Sequence, residues 1–491
     1  MKFTARSGSV LTPRLLWVFL LLLLPPAGLQ AQFTFTTNND GSLNLSQYTG
    51  SGGAVTIPDT TNGMAITSIG YDAFGGTSVT NVIIPDSITS MANLAFYYCT
   101  SLQSVTIGNG LTNLPFMAFN DCSNLTSVNI PTNVTDIGYE AFFRCSRLAG
   151  ITIPGSVTVI ESYAFSDCSD LTNIMIPAGV REIEDGAFEG CTSLAAIVVD
   201  TNNPTYISLA GVLFNHNQTT LIACPAGKAG SYTVPNGVTS IYYDAFSSCT
   251  NLTSITIPKS VTGIGPGAFY DCASLTSITL PNNVTSIGSD TFSSCTSLTN
   301  ATIGNGVTSI GDEAFYNCTN LTSVTLPDSV TSIGQDAFYN CHGLTSVTIP
   351  GSVTGIGLGA FLGCFNLTAV YFQGNTPGLF IDQGPIMSPI PVFPDNTTVY
   401  YLPGTIGWGA TFGGLPAVLW NPQMQAAMQM NQIGFNLSGP TNAVIVVEAC
   451  TDLANPAWSR IGTNTLSAAS SYFSDPQWTN YPSRFYRLCS P

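Results

Sequence analysis

The chain has 491 residues, of which only 8% are charged, against about 25% in an average globular protein. Its 27 Asp and Glu outnumber 11 Lys and Arg, for a formal net charge of −16. This argues against a nucleic-acid partner, because such binding draws on counterion release by basic side chains.

At the N-terminus, Lys2, Arg6 and Arg14 precede an unbroken apolar run from Leu15 to Leu24, then Pro25-Pro26 and small residues ending at Ala31. A positive head, a short apolar core and Ala at the cut site read as an export signal at residues 1–31. The run falls short of the ~20 residues that span a bilayer. No later segment is apolar enough to do so, and no Cys near the cut offers a lipid anchor. The expectation is a secreted or cell-surface protein with no membrane span after signal cleavage.

From residue 32 the chain is repetitive. Cys99, Cys122, Cys145, Cys168 and Cys191 are 23 residues apart, and so are Cys249, Cys272, Cys295, Cys318, Cys341 and Cys364. One unit reads C-x-x-L-T-S-V-T-I-P-x-S-V-T-S-I-G-x-x-A-F-x-x. Stretches such as Leu252 to Ile257 alternate Val or Ile with Ser and Thr, the pattern of a half-buried strand. Pro258 ends that strand, and Gly-x-[Asp/Glu]-Ala-Phe reads as one short helical turn with the acid as its cap. A unit this small cannot bury a core alone, so neighbours must stack and share one. The stretch from Asp200 to Val234 breaks the period as a longer, degenerate unit (about 200–234) and divides the array in two.

These motifs resemble the BspA-type (treponemal) leucine-rich repeat, with Pro at the strand exit where the commoner leucine-rich consensus has Asn or Cys. The resemblance runs from about Phe33 to Phe372. It implies a right-handed, curved leucine-rich-repeat solenoid of strands and short helical turns over residues 32–372. It also implies a bacterial surface or secreted protein that binds other proteins or adheres to cells. Residues 373–420, rich in Pro, Gly and aromatics, read as a cap on the open core. Residues 421–491, with Val444-Ile445-Val446-Val447-Glu448, read as a small β-rich module.

The repeat cysteines would lie ~5 Å from their neighbours, but equivalent side chains in a stack point the same way, so a ladder of buried thiols is expected. Without any C-x-x-C, no zinc site is indicated. Cys450 and Cys489 are the only pair in the terminal module and form the disulfide candidate. His216 and His342 share no spacing and read as solvated or locally hydrogen-bonded. Neither a metal nor another cofactor is expected.

Glu161 and Glu184 fill the same slot of adjacent units, where most copies have Gly. Stacking would hold the two ~5 Å apart, a separation used by retaining glycosidases. With Arg181 nearby and no dense aromatic platform around them, a solvated acidic edge is the plainer account. The outward strand positions carry a neutral Ser/Thr ladder (Ser254, Thr256, Ser277, Thr279) without aromatic anchors. Asn173 and Met175 break that ladder and are binding candidates. Tyr270, Tyr316 and Tyr339 recur at one slot and form either an exposed aromatic row or edge packing. The expected function is interaction with an extracellular or surface protein, without catalysis. The alternative is an extracellular carbohydrate-binding or carbohydrate-active protein using the Glu161/Glu184 ladder.

Overall fold

The computed structural model describes residues 32–380, 391–429, 432–440, 443–453, 456–466, 470–481 and 484–489. The export signal expected at 1–31 lies outside them. The repeats form a β-solenoid of about 15 turns in which each unit makes one three-sided coil. In the unit that opens at Cys272, the first side is the strand Ser277–Thr279, with Leu275, Ile278 and Leu280 buried and Ser277 and Thr279 exposed. The second side is the two-residue strand Ser286–Ile287. The third is the Gly-x-x-Ala-Phe segment.

Pairing between coils is parallel and steps by one repeat. Ser277 faces Asn300, which faces Ser323, and on the second side Ser286 faces Ser309, which faces Ser332. Like residues therefore stand above like. Two threonine columns exploit this at the corners. Thr299 and Thr322 each donate their hydroxyl to the threonine carbonyl one turn back at 3.0 Å, and Thr308 and Thr331 do the same at 3.1 and 3.0 Å. Each such bond contributes at most about 1 kcal/mol, but the repeat multiplies it.

The third side is where the structure departs from the expected helical turn. Phe142 N–H donates to Ala164 O at 2.8 Å and Arg144 N–H to Ser166 O at 2.9 Å, both in the next coil. The amides between them close local turns, as in Ala141 to Gly138 O and Cys145 to Phe142 O. Alternate amides thus point along the stack, which no helix permits. The device is a left-handed residue at two places per unit, for example Glu140 and Arg144, Glu313 and Asn317, or Asp336 and Asn340, with φ from 50° to 58°. Asp, Asn and Gly reach this region at least cost, which explains their frequency there. The acid serves a backbone turn, not a helix cap.

Inside, the phenylalanines form two stacked files, Phe74 to Phe188 and Phe246 to Phe393, with centroids 4.6 to 5.9 Å apart. Beside them the cysteines are buried and free. In the regular units the Sγ–H reaches the Phe carbonyl of the preceding coil, as in Cys122 to Phe96 and Cys145 to Phe119, both at 3.2 Å, whereas Cys249, after the degenerate unit, turns to Pro225 O at 3.8 Å. Burial pushes the Cys191 thiol up to about 12, so it stays protonated.

The degenerate unit joins two cores. Its hairpin, Tyr206–Leu209 with Val212–Asn215, sends Tyr206 and Leu213 into the first and Val212 and Phe214 into the second. Past Phe372, Thr398–Tyr401 and Leu415–Leu419 extend the long-strand sheet, while Phe393, Phe412 and Trp408 close the end. The terminal module consists of two three-stranded antiparallel sheets. It rests on the outer strand face at Ala369, Tyr371 and Tyr400, where the Ser/Thr ladder gives way to Ala and Tyr. Val444 N–H donates to Tyr371 Oη at 2.7 Å.

The disulfide expected between Cys450 and Cys489 is not formed. Their strands pair so that Cys450 faces Phe485 and Cys489 faces Val446. That offset of four residues, ~13 Å at ~3.3 Å per residue, exceeds the reach of a disulfide. Titration of the denatured, unreduced protein should accordingly find every thiol free, and any shortfall would contradict the register. Removing one rung of the aromatic file by Phe315→Ala should lower unfolding free energy by about 3–5 kcal/mol in chemical denaturation.

Candidate functional site

Two long surfaces are available, and they differ in chemistry. On the strand face the outward residues are hydroxyls and small polar groups. Asn173 and Met175 lie on the strand Asn173–Ile176, and Met175 (57% exposed) stands beside Val198 (42% exposed) of the next strand. Met175 and Val198 form a small apolar patch on a neutral face, which also exposes Ile83 on the strand Val79–Ile84.

The turn edge is richer. Tyr71, Tyr97, Tyr98, Phe116, Tyr243 and Tyr270 are exposed there. Phe116 stacks on Tyr139 at 5.2 Å, and Tyr139 meets Tyr163 edge-on at 6.0 Å. Of the expected tyrosine row, Tyr316 and Tyr339 do stack, at 5.0 Å and 6°. Tyr270 is separated from them by the unit that carries Ser293 in this slot. These aromatics occupy four different places in the repeat, so no single sequence column shows them. The left-handed turns collect them on one edge.

Glu161 and Glu184 come from adjacent coils, as their flanking strands show by pairing Ile160 with Ile183. Each carboxylate is committed to backbone one coil away. Glu161 Oε2 accepts from Tyr139 N–H at 2.7 Å, and Glu184 Oε2 accepts from Ser162 N–H at 3.0 Å and its hydroxyl at 2.9 Å. Both act as local clasps. The aromatic platform not expected near them does exist, in Tyr139 and Tyr163.

The degenerate unit alters this edge. In place of a Gly-x-x-Ala-Phe segment it runs Leu221-Ile222-Ala223-Cys224-Pro225-Ala226, so one rung of the edge is missing. The coils on either side reach across the notch, where Ser247 donates its hydroxyl to Glu189 Oε1 at 2.7 Å. The notch opens into a groove lined by Tyr163, Asp185, Glu189, Tyr243, Asp244 and Tyr270, with a cavity volume of about 380 Å³. A second stretch of about 440 Å³ continues past Glu140, Asp167 and Asp271 and shares Tyr163, Glu189 and Tyr270 with the first. Among the described residues, no basic one lines either part. Arg144 stands nearby and pairs with Asp167 at 3.5 Å.

Burial first, and the neighbouring acidic charges second, leave their mark on the carboxyls. Burial, followed by the charges of Glu189, Asp185 and Asp290, pushes Asp244 up to about 7. Burial also raises Glu189 and Asp290. Tyr242, partly buried and hydrogen-bonded to Asp185, is pushed up to about 12. In the unfolded chain Asp244 releases its proton near pH 4, whereas the folded protein keeps it to about 7. Between those limits the folded state binds more protons, so stability falls as pH rises. The melting temperature should drop from pH 5 to pH 8, and Asp244→Asn, which suits the left-handed backbone at φ 51°, should flatten the drop. A melting temperature that climbed over this range would contradict the assignment.

Comparison with known proteins agrees with this architecture. The BspA-type leucine-rich-repeat region model matches residues 67–195, 226–318 and 287–379 in six copies. A leucine-rich cell-surface protein from Faecalibacterium prausnitzii is 30% identical with a TM-score of 0.53, the match covering 70% of this chain and 94% of that one. A leucine-rich-repeat protein from Eubacterium ventriosum is 27% identical with a TM-score of 0.50, covering 74% and 96%. The pneumococcal vaccine antigen PcpA shares the fold at 21% identity and a TM-score of 0.57, covering 76% and 94%. No curated protein matches the chain. The family model, the 23-residue coil and the surface-protein relative agree: the chain belongs to the BspA-type leucine-rich-repeat family.

Proposed function

We propose that this protein is exported, acts at or beyond the cell surface, and binds another protein through its turn edge without catalysing a reaction. The observation that carries this reading is the contrast between the two long faces. The strand face is neutral, and its last coils are occupied by the terminal module. The turn edge presents exposed tyrosines and carboxylates held on a stiff ladder. Tyrosine offers large contact area at low entropic cost and is enriched at binding hot spots. A pre-ordered edge also spares the partner the cost of ordering it.

The relative from Faecalibacterium prausnitzii carries the description of a cell-surface protein, which supports a similar location here. Among the described residues no helix is long and apolar enough to cross a membrane. Glu161 and Glu184, the residues of the carbohydrate-active alternative, are tied to backbone amides, which favours binding over hydrolysis.

The test is capture of extracellular-matrix and surface-protein fractions by the immobilised protein, before and after protease treatment of the fractions. Capture should be protease-sensitive. It should fall about tenfold when Tyr97, Tyr98 and Phe116 are together replaced by Ser, and hold when Met175 is replaced by Ser. The reverse pattern would move the binding face to the strands and overturn the proposal.

A further inference from the structure

We propose that the aromatic-walled groove at the notch takes up a lysine- or arginine-bearing segment of a partner protein in extended conformation. This rests on the turn edge being the binding face and names the chemistry of what fits there. Tyr163, Tyr243 and Tyr270 supply the walls, and their rings offer faces to an ammonium or guanidinium group. Asp185, Asp244 and Asp290 stand among them, and among the described residues no lysine or arginine lines the groove to neutralise them.

Charge complementarity decides the occupant. An anion would be repelled by the groove, and a neutral chain would leave the carboxylates opposing one another. A cation relieves that repulsion and gains the aromatic faces as well. Among the described residues no three acidic groups converge as metal ligands, so the sites suit separated cations along a chain. Length points the same way. The two continuous stretches run from the coil of Glu140 to that of Asp290. At ~4.8 Å per coil, with the place of the degenerate unit counted, this is roughly 29 Å, about nine extended residues.

The missing rung creates the groove. A complete Gly-x-x-Ala-Phe segment between Glu189 and Asp244 would fill the space that now separates their coils. The irregular unit thus differs from its neighbours by leaving a binding gap in an otherwise closed ladder.

A calorimetric titration of the intact protein at low salt tests this, using an octapeptide of alternating Lys and Gly beside matched Glu–Gly and Ser–Gly peptides. Only the lysine peptide should bind, saturably and one per chain. Asp244→Asn and Tyr270→Ser should each weaken it about fivefold or more. Asp328→Asn, exposed on the strand side, should leave it unchanged and show that loss of one surface carboxylate is not enough. Binding should weaken from pH 8 to pH 6, as Asp244 takes up its proton in the field of Glu189, Asp185 and Asp290. That pH dependence should shrink in the Asn variant.

Equal binding of the Ser–Gly peptide, or lysine-peptide affinity indifferent to both groove variants, would overturn the proposal. Spermine binding more tightly than the peptide would also overturn it, in favour of a free polyamine. If the groove variants still captured the surface partner at full strength, this inference would fail while the wider reading of the turn edge stood.

Discussion

Hydrogen bonds between coils, set in register by a fixed step of 23 residues, are the constraint on which everything else rests. Along the third side, alternate amides donate to the next coil, as Phe142 does to Ala164 and Phe165 to Ala187. A coil without a neighbour leaves those amides, and the apolar faces of its Phe and Cys, in water. Stability is therefore a property of contacts between neighbours. It is also why both ends need closure. The antiparallel hairpin Phe33–Thr37 with Leu43–Tyr48 begins the stack, and Phe393, Trp408 and Phe412 finish it.

The same register explains why cysteine suits its place. In the regular units a Phe carbonyl accepts the amide of its own cysteine, as Phe119 O does from Cys122 N–H at 3.2 Å, and the Sγ–H of the cysteine in the next coil, as from Cys145 at 3.2 Å. The carbonyl gains a second partner where water is absent. Alanine at that position would leave the volume unfilled, and a larger polar side chain would bring surplus donors or acceptors into the core. A thiol is small, nearly apolar and a weak donor. No redox or metal chemistry is needed to account for the column.

The period, the strands and the buried thiols were legible because each is a one-column property of the repeat. The alternation Leu-x-x-Val-x-Ile states which side chains face inward, and the spacing of Cys states the length of a coil. What could not be read depended on backbone direction or on pairing between distant segments. Gly-x-Asp-Ala-Phe looks like a helix start, and only the left-handed residues, such as Asp290 and Ser294, reveal that the amides turn toward the next coil. The recurrence of Asp, Asn and Gly at those two places was the available signal. Cys450 and Cys489 were the natural pair by count, yet strand register, absent from the sequence pattern, holds them apart. The aromatic edge was missed for a related reason: Tyr71, Tyr97, Tyr98 and Tyr163 belong to different columns and share only a direction in space.

A perfect repeat presents the same surface at every coil, so it has little means of recognising one partner over another. Discrimination must come from departures, and their placement here is informative. On the strand face one departure, Ala369 and Tyr371, is spent on docking the terminal module, and another is the small patch of Met175 and Val198. On the turn edge the departures are the varied aromatics and the unit whose third side is cut short, keeping the Cys224 N–H bond to Ala245 O but no Phe. That omission costs the stack one rung of its Phe file, and the hairpin Tyr206–Leu209 with Val212–Asn215 compensates by feeding both cores. It also leaves Asp244 half-buried among carboxylates, with no basic side chain among the described residues lining the groove to relieve their repulsion. Such repulsion lowers the stability of the unliganded fold, and a complementary partner would remove it. The place where the repeat is least favourable to itself is therefore the place where binding has most to gain.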